Sequence, residues 1–169
     1  MAMDPLAALR PVSQAYATLP IEDAFDWSEG AAELPVGEWY MVAFRSIRRV
    51  GADEERLTLY DDLAHREAEG AAGFVSYFKG PVDRDGTCLS FCLWDSRAEA
   101  RAAAGRPDHL EAVRLIGEMY QAYTLEFLRV RRTHADAALQ FELYDPIPSP
   151  PESFAPPVAL DFQHGAVAT

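Results

Sequence analysis

His109 is the residue in this sequence best placed to do chemistry. With Val113, Ile116 and Tyr120 it falls at i, i+4, i+7 and i+11, the spacing of one helix face. Pro107 suits the first helical turn, so the imidazole lies near the positive end of the helix, which disfavours imidazolium. A neutral ring on an inward face can take a proton as a pocket base or bind a metal or heme; bonded to the sheet, the same ring is only structural. Tyr77, Tyr40 and Tyr120 offer hydroxyls that could orient a phenolic or quinone-like substrate, or pack in the core with the hydroxyl bonded at an edge. Arg45 and Lys79 lie near strand ends and suit an anionic group, or water. Trp94 ends an apolar strand, as a wall or as a plug. The expected site therefore has His109 and Tyr77 as its polar pair, and Tyr40, Trp94, Val113, Ile116, Tyr120 and Arg45 around a substrate. His65 is placed on the outer side of its helix, and His134 and His164 lie near the end of the chain without metal spacing. There is no CxxC, HExxH, P-loop or GxGxxG motif, and no metal is expected.

The elements that must position these groups are marked by local signals. Glu38–Ser46 alternates with apolar residues on both faces, so both faces should be covered. Asp53–Glu69 reads as a helix with Leu57, Tyr60, Leu63, Ala64 and Ala68 on one side. Phe74–Lys79 and Thr87–Trp94 read as strands joined by the turn-forming run GPVDRDG. Ser96 and Glu99 form a capping box ahead of an alanine-rich helix whose small side chains allow close packing or leave room for a ligand. Gly105 and Pro107 break that helix and begin another. Tyr123–Arg131 is a fourth strand, and Leu139, Phe141 and Leu143 alternate as a short added one. The order is β-α-β-β-α-β, the split βαβ plan of an α+β, ferredoxin-like antiparallel sheet.

Helices cover only one face of such a sheet. A second copy is the simplest cover for the other, and a sheet-to-sheet homodimer is the expectation. The domain reading is an N-terminal arm over 1–36, a core over 37–133 and a proline-rich C-terminal arm over 134–169. The arms carry most of the net charge of −12, and the core is nearly neutral. No basic footprint for nucleic acid stands out, no apolar run is long enough for a membrane, and no leader is recognisable, so a cytoplasmic location is expected. Phe25, Trp27, Phe141, Leu143 and Phe154 are too many large apolar residues for solvated tails, so at least one arm should dock. Cys88 and Cys92 lie roughly 13 Å apart along one strand, too far for a mutual disulfide, and read as free thiols.

The strand order, the apolar strand ending in LWDS, the helix start SRAEA and the histidine in the later half of the broken helix resemble the dimeric α+β barrel group that contains antibiotic-biosynthesis-type monooxygenases. The resemblance covers roughly residues 37–133. It implies a ligand pocket between helices and sheet, and members that include cofactor-free oxygenases of aromatic substrates, heme degraders and small isomerases. The heme-degrading branch has an Asn on the first strand, a Trp inside the second helix and a later His. Here only His109 resembles a member of that triad, which argues against heme degradation. The expectation is an oxygenase-like enzyme acting on an aromatic or polyketide-like substrate without a nucleotide cofactor, and the alternative is a small-ligand-binding or assembly protein of the same fold.

Overall fold

The computed structural model describes residues 4–144. The prolines from 146 to 157, Phe154 and His164 lie outside them. One antiparallel sheet is formed by β1 (Gly37–Arg48), β2 (Phe74–Phe78), β3 (Thr87–Trp94), β4 (Tyr120–Arg132) and β5 (Gln140–Leu143), in the order β2-β3-β1-β4-β5. The helices are two single turns, α1 (Ile21–Ala24) and α2 (Trp27–Gly30), then α3 (Glu54–Glu69), α4 (Arg97–Ala104), α5 (Pro107–Arg114) and a last turn, α6 (Ile116–Met119). From β1 to β4 this is the split βαβ plan expected from the hydrophobic pattern, with β5 added along β4 where Phe141 pairs with Val130.

The helix signals act as read. Asp53 caps α3 by accepting from the Arg56 N–H at 3.0 Å. Ser96 caps α4 by accepting from the Glu99 N–H at 3.3 Å, and its hydroxyl donates to the Glu99 carboxylate at 2.9 Å. That carboxylate lies against Gly73, whose φ of 72° and lack of a side chain let the chain turn into β2 beside it. Helix α5 has no side-chain cap of its own. Glu67 of α3 supplies one, accepting from the His109 N–H at 3.0 Å, while its carbonyl accepts from Arg106 at 3.0 Å. The helical face expected to run on to Tyr120 is cut short: α5 stops at Arg114, and Tyr120 is the first residue of β4.

Strand parity sorts the sheet into two faces. On one, Met41, Ala43, Leu89, Phe91, Leu93, Leu128 and Val130 are buried beneath the chain's own N-terminal residues. Phe25 is the hub there, edge-on to Phe78 at 4.9 Å, Trp27 at 5.3 Å and Phe91 at 5.5 Å. Polar groups pin the segment at both ends. The Tyr16 hydroxyl donates to the Pro81 carbonyl at 2.7 Å, and the buried Arg132 donates to the carbonyls of Leu34 at 2.6 Å and Ala31 at 3.0 Å. The expectation that an arm docks is met by this segment. The sheet-to-sheet contact between copies needs correction, because it rested on this face being bare, and residues of the same chain occupy it. Arg45 needs correction too. Its odd position on β1 places it on this side, where it ion-pairs with Glu126 and donates to the Ala17 carbonyl at 2.6 Å.

Candidate functional site

The other face of the sheet is roofed by α3, α4 and α5, and a cavity of about 730 Å³ remains beneath them. Small-molecule sites occupy about 300–1,000 Å³. The floor is the even side of β1: Tyr40, Val42, Phe44 and Ser46. Ladder pairing sets Trp94, Cys92, Ser90 and Cys88 of β3 opposite those four, and Phe127, Leu125 and Tyr123 of β4 opposite Val42, Phe44 and Ser46. Alanines make much of the roof: Ala64 and Ala68 from α3, and Ala100, Ala103 and Ala104 from α4. Their short side chains hold the helices away from nothing bulky, and the space between helix and sheet stays open.

Of the site residues expected from sequence, His109, Tyr77, Tyr40, Trp94, Val113, Ile116 and Tyr120 all line this cavity, and Arg45 does not. Trp94 is nearly fully buried at the cavity wall: its indole N–H donates to the Cys92 sulfur at 3.0 Å and its ring stands edge-on to Phe74 at 5.4 Å. Burial pushes the Cys92 thiol up to about 12, so it is a neutral wall group. Burial lowers the His109 pKa below its ordinary value, and the charge of Glu67 opposes this. The countering acid is thus on the neighbouring helix, α3.

Tyr77 is the best-held polar group. Its hydroxyl donates to Asp61 Oδ1 at 2.6 Å, and Asp61 Oδ2 lies 2.7 Å from Lys79 Nζ. Burial first, and the Asp61 carboxylate second, drive the Tyr77 phenol well above its ordinary pKa. Burial pulls the Lys79 ammonium down, but its two aspartates outweigh that and leave it raised. His65 stands edge-on to Tyr77 at 4.8 Å, which corrects its placing on the outer side of α3. Tyr123 lies on the same stretch of floor, its pKa raised by burial and then by Tyr120. With its proton given to Asp61, the Tyr77 oxygen keeps lone pairs free, so a ligand hydroxyl can donate to it and pass a proton towards the carboxylate.

Asp61, His65 and Tyr123 were not among the expected site residues. Asp61 follows Leu57 by four and precedes Ala64 and Ala68 on the inward stripe of α3, and a carboxylate inside an apolar stripe is a readable signal. Tyr123 shares the parity of Leu125 and Phe127.

A family model described as PB2B2.08-like matches residues 2–144. No curated protein matches the sequence. Three solved structures are similar to part of this chain. SnoaB, described as a cofactor-independent oxygenase from Streptomyces nogalater, is 15% identical with a TM-score of 0.42, over 55% of this chain and 90% of that one. Rv0793 from Mycobacterium tuberculosis is 22% identical with a TM-score of 0.45, over 52% and 91%. A dimeric ferredoxin-like protein of unknown function from Thermobifida fusca is 11% identical with a TM-score of 0.45, over 57% and 92%. Among the described residues no helix is long and apolar enough to cross a membrane.

Proposed function

The chain belongs to the PB2B2.08-like family, and from that premise and the cavity we propose that it is an oxygenase-like enzyme of phenolic aromatic substrates that uses no nucleotide cofactor. The observation that carries this reading is the convergence of His109, Tyr77 and Asp61 on one largely apolar cavity of substrate size. In this reading the substrate's rings lie along Val42, Phe44 and Phe127, and its hydroxyl donates to Tyr77. His109, neutral at pH 7, or the Tyr77–Asp61 pair takes the phenolic proton. The resulting phenolate gives an electron to dioxygen, the carbon para to its oxygen bonds to the reduced oxygen as a hydroperoxide, and O–O cleavage with loss of that carbon's proton releases water and leaves a quinone; the substrate supplies the electrons, so no reduced nucleotide is required. The apolar walls keep water from the anion and from the oxygen adduct.

A second reading, a small-ligand-binding protein, is favoured by one observation: the Tyr77 hydroxyl is already committed to Asp61. Dioxygen uptake separates the two. A panel of polycyclic phenols is incubated with the protein in air without nicotinamide or flavin. Uptake that falls in His109→Ala and Tyr77→Phe supports the enzyme. Phenols that raise the melting temperature without uptake leave the binding protein, and a panel that does neither removes both.

A further inference from the structure

The two ends of the cavity differ in charge. Tyr77 pairs with Cys92 of β3, which pairs with Val42 of β1, and its ring meets that of Phe44 at 6.4 Å between centroids, so the Asp61–Tyr77–Lys79 cluster lies two strands to the side of the Val42–Phe44 stretch. Arg97 and Arg101, one turn apart on α4, line the cavity at the other end, beside Tyr40. Tyr40 is two residues from the Val42 row, roughly 7 Å along the strand at ~3.3 Å per residue, and Tyr77 is two strands across, roughly 10 Å at ~4.8 Å per strand. The rest of the lining is largely apolar, with His65, Glu67, His109 and Cys92 among its polar groups.

The Arg97 guanidinium is fixed rather than loose. It lies over the Tyr144 ring, 5.3 Å from the centroid, and Arg129 lies 5.2 Å from the same ring. A guanidinium held over an aromatic ring still has N–H donors to offer a carboxylate. Burial raises the Tyr40 phenol to about 12; Arg97 opposes that by charge and by a hydrogen bond, and Arg101 by charge. The Tyr40 hydroxyl therefore remains a donor beside the arginines. The chain as a whole carries −12, so its overall field repels anions, and any preference for one must be local.

We propose that the cavity takes an aromatic carboxylic acid, with the carboxylate held at Arg97, Arg101 and Tyr40 and a hydroxyl on the far end of the rings at Tyr77. This deepens the substrate-cavity reading above and rests on it. The binding of a hydroxynaphthoic acid with hydroxyl and carboxylate at opposite ends of the rings is compared with that of its amide, by calorimetric titration at pH 7 on the full chain. The acid should bind at least about tenfold tighter, the worth of a charge-assisted hydrogen bond over a neutral one. Arg97→Gln should bring the two affinities together, and Arg97→Lys should keep part of the preference. The wild-type ratio needs no variant and stands even if Arg97→Gln fails to fold. Equal binding of acid and amide by the wild type, or a preference that survives Arg97→Gln, overturns the carboxylate site and leaves the cavity reading intact. Binding of neither probe overturns both.

Discussion

Along β1, alternate residues meet two different neighbours. Met41 and Ala43 are wholly buried, packed under the chain's own N-terminal segment with Phe25 and Trp27 above them. Val42 and Phe44, between and beside them in the same central strand, keep part of their surface exposed. A central strand should be closed on both faces, so exposure in mid-sheet marks a hollow, and the hollow here is the cavity. The composition of the two covers explains the difference. The N-terminal segment brings aromatic rings that interdigitate with Phe78 and Phe91, whereas α3 and α4 bring alanines. Large side chains seal one face, and small ones leave space over the other.

Deleting residues 1–36 is the most severe way to break this contrast. It bares Met41, Leu89, Phe91 and Leu93 together, and the trimmed chain should unfold or self-associate. Light scattering on the purified fragment checks this, and a stable monomer would show that the segment is not a structural cover. Point substitutions sharpen the comparison. Phe91→Ala on the sealed face opens a closed void and should cost about 3–5 kcal/mol in urea unfolding. Phe127→Ala on the cavity face enlarges a space that already exists and should cost about 1 kcal/mol. Equal costs would mean that the cavity face is as tightly packed as the other.

A smaller effect concerns pH. Burial depresses the His109 pKa in the folded chain, while the unfolded chain titrates near ~6.5. Between those values only the unfolded state binds the proton. The folded state is therefore unpenalised above the unfolded pKa, and it loses stability as pH falls through that value, until the folded pKa is reached. His109→Gln should flatten the fall in stability that begins as pH drops through the unfolded value of ~6.5. In a histidine NMR titration, the His109 resonance should protonate below the ~6.5 of an unperturbed imidazole. A His109 resonance that titrates at or above that value would place the ring in water or on an acid.

Much of this fold was legible because its elements carry local chemistry. Asp53, Ser96 and Pro107 each mark a helix start, and alternation marks the strands to within a few residues. The covering segment was not, because residues 4–36 contain only single helical turns, and their place is fixed by distant contacts such as Tyr16 to Pro81. No periodicity announces a contact of that kind. The site was half legible. His109, Tyr77 and Tyr40 follow from helix and strand spacing, and all line the cavity. Arg45 shares parity with Trp39, Met41 and Ala43, so the alternation that put Tyr40 in the site already excluded it. Tyr123 and Asp61 needed a wider view: one begins the apolar parity of β4, and the other interrupts the apolar stripe of α3. The Glu67 cap on α5 joins residues 42 apart in sequence, and only packing brings them together.

The three tryptophans allow one direct test of the two-faced sheet. Trp27 and Trp39 belong to the sealed face, and Trp94 lines the cavity. Their indole N–H resonances can be followed while the hydroxynaphthoic acid is added to the labelled full chain. A sealed face and an open one predict that the Trp94 signal moves in a saturable way while those of Trp27 and Trp39 stay in place. Saturable shifts at Trp27 or Trp39 with Trp94 unmoved would put the ligand site on the wrong side of the sheet and contradict the account.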